Sequence, residues 1–180
     1  MNSRPPPADQ QIGYFEALGM LTELALHSAL HRNWFVADIG INLVPALRTG
    51  QCKIYFDEHR MPTSFATWAL VHDDDHKALR NHGRTPPPDR WASGAHLWFI
   101  DVVAPFGNVR EIVRDLQRRH FPHLPVAHAV RRNVDGSMRR IQTWHNAMAR
   151  HDQADGGLRP PAGQQAGMPG RSGTLRRQDR

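Results

Sequence analysis

Apolar residues recur every three or four positions along the first part of the chain, a spacing typical of an amphipathic helix. They predict a first helix over residues 12–29, and the apolar positions are Ile12, Phe15, Leu18, Leu21 and Leu24. A second apolar segment, residues 35–50, is also helical in period but contains Pro45. Proline removes a hydrogen bond inside a helix, so we predict a bend near the end of this segment and a C-cap at Gly50.

After residue 50, apolar positions alternate with polar ones, which is the period of a β-strand. Residues 54–56 and 65–71 carry this pattern, and the turn-forming segment EHRMP, residues 58–62, separates them. This arrangement predicts a β-hairpin. Residues 73–82, DDDHKALRNH, form a short polar helix or a loop, and the proline-rich residues 84–90 form a loop.

The segment HLWFIDVVA, residues 96–104, is almost continuously apolar and predicts a buried central strand. The segment after it, residues 108–121, has the pattern of an amphipathic helix with an apolar face. Asn108 and Glu111 have the arrangement of a capping box at the start of this helix.

Residues 126–145 predict a second β-hairpin, because the dipeptide Asp135-Gly136 at their centre is a strong turn signal. The order of the elements predicts an α+β domain with a mostly antiparallel central sheet flanked by helices. We place this domain at residues 12–150. The two ends, residues 1–11 and 151–180, have almost nothing to bury and are predicted to be disordered.

The chain is basic, with a formal net charge of +6 and a sequence pI of about 10.6. A basic protein of this size favours an acidic partner, which leaves nucleic acid, an anionic membrane or an acidic protein. No apolar run approaches the roughly 20 residues that span a bilayer, and the N-terminus lacks the apolar stretch of a secretory signal. The single cysteine, Cys52, excludes an internal disulfide. These features predict a cytoplasmic protein without stable membrane insertion.

His31 and Asp101 are the two candidate catalytic residues. A histidine at a helix end complements the helix dipole, or it acts as a general base because imidazole titrates near neutral pH. An aspartate inside an apolar strand is costly to bury unless it is paired. Asp101 therefore either lies at a strand end in water, or orients a histidine, or holds a substrate amine.

Two pairs of histidines have the spacing at which a helix face can bind zinc, namely His27 with His31 and His72 with His76. The chain contains 12 histidines, so such pairs arise by chance, and the sequence supplies no clear third ligand. We therefore predict no metal site.

Other candidates have weaker patterns. The turn at residues 104–108 joins a strand to a helix and is a candidate anion site. Ser28, three residues before His31, assists by hydrogen bonding or caps the turn, since no nucleophile motif surrounds it. Cys52 alternates with core positions and is interpreted as a packing residue. A cluster of arginines indicates either a solvated face or a docking site for an acidic partner. Its members are Arg131, Arg132, Arg139 and Arg140. Few aromatic residues accompany these arginines, so we predict no nucleic-acid partner.

Several segments, in order, resemble the lysine acyltransferases that activate RTX toxins. They are LHRNW, residues 30–34; INLVPALR, residues 41–48; SG, residues 93–94; and WFIDVVAPFG, residues 98–107. The resemblance covers about residues 13 to 146. Two features depart from it: Phe35 stands where proline is expected, and the chain continues well past residue 150.

The resemblance implies a GNAT-like acyltransferase fold and a cytoplasmic homodimer. It implies transfer of a fatty acyl group from acyl carrier protein, as co-substrate and without a bound cofactor, to internal lysines of a protoxin. It places the essential histidine at His31 and the important aspartate at Asp101. We expect substrate contacts from Ser28, Asn33, Phe106, Gly107 and Asn108, with the amides of the last three holding the donor phosphate.

Two chemical routes fit this resemblance. In one, His31 deprotonates the acceptor amine and Asp101 orients the imidazole; in the other, an acyl-imidazole forms on His31. Two other functions remain at this stage. A basic nucleic-acid- or protein-binding module without catalysis explains the charge but not Asp101 in its apolar strand, and a metal hydrolase would use the histidine pairs.

Overall fold

A computed structural model describes residues 12–146 and Ala149. The predicted disordered ends, residues 1–11 and 151–180, lie outside the described residues. The helices of the described part are α1 (Tyr14–Leu26), α2 (Val36–Asn42), α3 (Val44–Arg48), α4 (Asp73–His82) and α5 (Val109–Asp115). The strands are β1 (Cys52–Phe56), β2 (Pro62–Val71), β3 (His96–Val103), β4 (Val126–Arg132) and β5 (Met138–His145).

Helix α1 ends three residues before the predicted boundary. The amides of His27 and Ser28 bond to carbonyls three residues back, which tightens the last turn. The chain then makes one 3-10 turn over His31–Asn33 before α2 begins. His31 therefore lies on this separate turn and not at the end of α1.

The second helical segment is divided in two, as its proline predicts. Helix α2 ends at Asn42 and α3 begins at Val44, with Pro45 in the first turn of α3, where a missing N–H group costs little. Gly50 has a φ of 68°, in the left-handed region, one residue after the C-cap Thr49. The predicted bend and the helix-ending role of this glycine are confirmed.

The five strands form one sheet in the order β1-β2-β3-β4-β5. Both predicted hairpins are present, but β3 and β4 are parallel, so the prediction of a mostly antiparallel sheet is wrong and the sheet is mixed. The physical reason is the crossover through α5. A helical connection returns the chain to the edge where β3 began, and the following strand then runs in the same direction.

The two faces of the sheet have separate cores. On one face, here called the α5 face, Trp68 and Phe99 pack against Ile112 and Leu116. The opposite face, here called the α1 face, packs against α1 to α4. Its buried residues include Leu21, Leu43, Phe65, Trp91, Trp98 and Val103. The sheet is therefore covered on both sides, and β3 lies at its centre.

The start of α5 differs from the predicted capping box. Asn108 precedes the helix with a φ of 68° and its side chain makes no cap hydrogen bond. In this left-handed conformation, the side chain is not in the extended geometry that reaches the helix amides. After Asp115 the chain continues as a π turn over Leu116–His120, which keeps Leu116 in the core. Within residues 12–146 and Ala149, no helix is both long and apolar enough to cross a bilayer.

Candidate active site

A β-bulge in β3 lies directly before Asp101. Between β2 and β3, Trp68 pairs with Phe99 and Thr67 pairs with Asp101, so Ile100 is an extra residue without a partner in β2. Bulges of this kind redirect side chains and are frequent next to active sites.

This bulge decides which face of the sheet carries Asp101. Phe99 packs on the α5 face, and strict alternation would return residue 101 to that face. Because of the extra residue, Asp101 follows Ile100 on the α1 face, where Val103 also packs. The carboxylate therefore meets the turn that carries His31.

His31 is the centre of a short chain of hydrogen bonds. Its Nε2 lies 3.0 Å from Oδ1 of Asp101, and its Nδ1 lies 2.6 Å from Oγ of Ser28. The residue is only 7% exposed, and the ring of Trp34 packs edge-on against it at 4.6 Å. The structure thus brings together both predicted catalytic residues and Ser28.

The hydrogen-bond partners determine which ring nitrogen is basic. An ionised carboxylate can only accept hydrogen bonds, so Nε2 carries the hydrogen and donates it to Asp101. Nδ1 of the neutral ring then accepts the hydroxyl hydrogen of Ser28. The arrangement leaves one basic nitrogen, and it faces the hydroxyl group.

Asp101 is held from the backbone as well as the side chain. Its amide donates to Oγ1 of Thr67 at 3.1 Å, which fixes the strand position next to the bulge. Its second carboxylate oxygen, Oδ2, is buried and has no hydrogen-bond partner among the described residues. A buried acceptor without a partner is unfavourable, and a substrate donor would satisfy it.

A cavity of about 250 Å³ lies between β3 and β4 at this site. The two strands share only the pairs Trp98–His128 and Phe99–Ala129, so they separate beyond these positions. Residues from both faces line the opening: Ser28, His31 and Asp101 from one side, and Val109, Val113 and Trp144 from the other. The cavity therefore passes through the sheet where the strands separate.

The four predicted partner-binding arginines line this same cavity. They are Arg131, Arg132, Arg139 and Arg140, from the second hairpin. Arg132 donates to the carbonyls of Gly83 and Gly136, which anchors the hairpin against the end of α4. This opening of the cavity is strongly basic.

The other predicted substrate contacts lie elsewhere. Asn33 is exposed and does not line the cavity. Phe106 is 71% exposed, and the amide of Gly107 already donates to the carbonyl of Ala104. None of Phe106, Gly107 and Asn108 lines the cavity.

The histidine pairs are not arranged around a common point. His27 is exposed and pairs with Glu23 at 3.4 Å, whereas His31 has Ser28 and Asp101 as partners. His76 accepts a hydrogen bond from the indole of Trp98. In the described part of the chain, no three histidine, cysteine or acidic residues form a group that could hold a metal ion.

Sequence reasoning missed several residues of this site. Thr67 contacts Asp101 and Trp34 packs against His31. Val109, Val113 and Trp144 line the opposite side of the cavity. Their apolar or alternating positions are also those of ordinary core residues. Only the pairing of distant strands brings them to the site.

Comparison with known proteins identifies the family. The model of the RTX toxin acyltransferase family matches residues 10–145. The lysine-acyltransferase RtxC of Vibrio cholerae is 37% identical over 106 residues, which cover 59% of this chain and 69% of that protein. The RTX-I toxin-activating lysine-acyltransferase ApxIC of Actinobacillus pleuropneumoniae is 29% identical over 136 residues, or 76% and 77% of the two chains.

A third relative carries a name that specifies the acyl group. The protein-lysine myristoyltransferase HlyC of Escherichia coli is 33% identical over 107 residues, which cover 59% of this chain and 60% of that protein. The match of the family model covers the whole sheet and both candidate catalytic residues. The chain therefore belongs to the RTX toxin acyltransferase family and is an acyltransferase.

Proposed function

We propose that this enzyme transfers a fatty acyl group from acyl carrier protein to internal lysines of an RTX-type protoxin and thereby activates it. The observation that carries the proposal is the buried chain Asp101–His31–Ser28 in the wall of the cavity between β3 and β4. The relatives are named for lysine acylation, and one is named for myristoyl transfer, which supports the acceptor and the class of acyl group.

A GNAT-like fold is part of this proposal. The parallel strands β3 and β4 separate after two pairs, and β3 has a bulge at the point of separation. In GNAT-like enzymes the arm of the acyl donor lies between two such strands. The backbone of β3 beyond Phe99 has no partner in β4, and it can pair with the amides of a phosphopantetheine arm.

The charge of the cavity supports an acidic carrier as the donor. Arg131, Arg139 and Arg140 line the opening, and acyl carrier proteins are acidic. Opposite charges on two surfaces accelerate their encounter and favour one orientation. This gives the basic hairpin a role that a solvated face would not require.

In the reaction, the acceptor ammonium first releases one proton to solvent, and the neutral amine loses a second proton as it attacks the thioester carbonyl. We place the amine against the Ser28 hydroxyl, which passes its own hydrogen to Nδ1 of His31 and takes one from the amine. The new amide bond forms as the carbon–sulfur bond breaks, and the thiolate leaves with the proton from His31. Asp101 stabilises the imidazolium, and general-base assistance of this kind contributes about 10²- to 10⁴-fold.

The covalent route through an acyl-imidazole on His31 is the alternative. Both ring nitrogens already have partners, and attack by Nδ1 would require Ser28 to leave it. The direct transfer uses these contacts as they stand, so we favour it. A binding module without catalysis would leave the buried His31–Asp101 pair without a purpose.

We also propose that the enzyme works as a homodimer in the cytoplasm. Two large apolar side chains near the site have most of their surface exposed, Phe35 at 80% and Val36 at 86%. Apolar side chains next to each other on a surface suit an interface between protein chains. Both residues flank the turn of His31, so dimer formation would shield the surroundings of the site.

The test is lysine acylation of an RTX protoxin co-expressed with the wild type or with His31→Ala. The matched control is His27→Ala, because His27 is an exposed histidine just before the same turn and does not line the cavity. We expect an acyl mass on lysine with the wild type and the control, and a loss of at least about 100-fold with His31→Ala. Full acylation by a well-folded His31→Ala protein would contradict the proposal.

A further inference from the structure

A second cavity, of about 380 Å³, lies beside α5 on the far side of the sheet from His31. It is adjacent to the active-site cavity, because Val109, Val113 and Trp144 line both. A long flexible substrate that ends at His31 can therefore continue into it. Nothing in the proposed function yet uses this space.

Three arginines line this second cavity, namely Arg110, Arg114 and Arg118. They follow each other at intervals of four residues along α5 and the π turn, so they lie along one side of the helix. Among the described residues, none of the three has an ion pair, and no aspartate or glutamate lines the cavity. The cavity is thus positively charged without internal compensation.

Helix α5 carries two acidic residues, Glu111 and Asp115, and among the described residues neither has an ion pair with these three arginines. Asp115 accepts hydrogen bonds from Lys53 at 2.6 Å and Tyr55 at 2.9 Å, both on β1. Burial alone would raise the pKa of Asp115, but the two hydrogen bonds and the charges of Lys53 and Arg119 together lower it. The ionised carboxylate therefore lies on the β1 side, and no ion pair joins it to Arg110, Arg114 or Arg118.

Gln117 also lines this cavity, and its side chain carries a buried donor. The side-chain nitrogen Nε2 of Gln117 has no hydrogen-bond partner among the described residues. A buried donor without an acceptor costs about 1 to 3 kcal/mol, so a bound acceptor would relieve a real penalty. Three guanidinium groups and one amide donor together match the oxygens of a phosphate group.

We propose that this second cavity binds the phosphate at the carrier end of the donor's phosphopantetheine arm. The inference rests on the proposed function, and it replaces the turn at Phe106 to Asn108 as the phosphate site. The arm then runs from the carrier past Val109, Val113 and Trp144 and through the gap between β3 and β4. Its thioester ends beside His31.

The first test compares two small donors that differ only in the phosphate, namely the same fatty acyl thioester of phosphopantetheine and of pantetheine. The wild type should use the phosphorylated donor roughly tenfold or more better in kcat/KM, because hydrogen bonds to a charged group are strong. Triple replacement of Arg110, Arg114 and Arg118 by Gln should reduce this preference to near one. The loss should fall on the phosphorylated donor, because the pantetheine donor has no phosphate for these arginines to bind.

The matched control is Arg119→Gln. Arg119 lies on the same π turn, but it pairs with Asp115 at 3.5 Å and does not line the cavity. This variant should keep the full preference for the phosphorylated donor. A single Gln117→Met replacement should lower the preference by a smaller factor, since it removes one neutral donor.

Calorimetric binding of phosphopantetheine and pantetheine provides a second measurement that requires no transfer. If the wild type acylates but shows no preference for the phosphorylated donor, the inference is wrong. It is also wrong if the triple variant weakens only the intact carrier protein, because the arginines would then bind acidic side chains. If no donor supports transfer, the proposed function fails, and selective binding of phosphopantetheine still decides the inference.

Discussion

His31 uses its two ring nitrogens differently, and this division explains how one buried imidazole can act as a directed base. The carboxylate of Asp101 keeps the hydrogen on Nε2, and the lone pair on Nδ1 is therefore directed at Ser28. Trp34 packs against the ring and restricts its rotation. Asp101 sets the tautomer of the ring, Ser28 provides the proton path, and Trp34 fixes the orientation of the ring.

Replacement of Asp101 by Asn tests the control of the tautomer. The amide nitrogen of Asn can donate to Nε2, which would move the ring hydrogen to Nδ1 and remove the base. We expect lysine acylation to fall at least about 100-fold while the melting temperature changes little. The control is Asp57→Asn, since Asp57 accepts amides of His59 and Met61 in the first hairpin turn. Unchanged turnover in Asp101→Asn would contradict the assigned tautomer.

Replacement of Ser28 by Ala separates direct transfer from a covalent serine route. If Ser28 only passes a proton and positions His31, a water can partly replace it, and roughly a tenth of the activity should remain. No acyl adduct should appear on the wild-type enzyme in intact-mass spectra taken during turnover. A trapped acyl-Ser28, together with activity as low as that of His31→Ala, would show that the hydroxyl is the nucleophile.

At the scale of elements, α4, β3 and β4 carry a second group of histidines away from the active site. The rings of His76 and His96 stack at 4.2 Å, and those of His76 and His128 meet at 5.3 Å. The indole of Trp98 donates to Nδ1 of His76 at 3.0 Å, which requires a neutral acceptor there. Protonation of this group would place like charges side by side between packed elements.

This histidine group predicts acid-sensitive stability. Burial, then the charges of His76, Arg80 and further histidines, lower the pKa of His128 to about 4. The folded state therefore binds this proton more weakly than the unfolded state, whose histidines titrate near pH 6.5. The contribution of neutral His128 to the free energy of unfolding is fully present above about pH 6.5 and is lost as the pH falls towards 4.

The measurement is the free energy of unfolding by urea at pH 7 and at pH 5. His128→Gln should reduce the loss between the two values, because glutamine keeps a hydrogen bond to Thr143 but does not titrate. His59→Gln serves as the control, since His59 lies exposed in the first hairpin turn. Equal losses of unfolding free energy in the wild type, His128→Gln and His59→Gln would contradict the role of His128.

At the scale of the molecule, basic side chains surround both cavities that are proposed for the donor. Arg131, Arg139 and Arg140 lie at the active-site opening, and the arginines of α5 lie beside it. Basic side chains of the described residues are therefore concentrated where an acidic carrier would approach. Charge of this kind acts over about 10 Å at moderate ionic strength and is screened by salt.

Salt should weaken the encounter with the carrier and leave the chemical step unchanged. Between about 50 mM and about 500 mM salt, we expect KM for acyl carrier protein to rise several-fold with constant kcat. The thioester of pantetheine, which has no charge to steer, should show no such rise. A KM for the carrier that does not respond to salt would contradict the electrostatic docking.

The sequence by itself determined the order of the elements, the two hairpin turns and the candidate pair His31 and Asp101. These features follow from local signals: the periods of apolar residues, the turn dipeptide, and an aspartate among apolar neighbours. Such signals depend only on residues close together in the sequence, so they can be recognised without the tertiary structure. The division between α2 and α3, just before Pro45, was predictable because proline is also a local signal.

Only the tertiary structure decided how these parts meet. The bulge at Ile100, the parallel pairing of β3 with β4 and the contact of His31 with Asp101, 70 positions apart, depend on which distant strands pair and in which register. Each depends on a small difference in free energy between alternative strand pairings. The local spacing of apolar residues does not encode that difference. The candidate active site forms because one extra residue in β3 turns Asp101 towards His31.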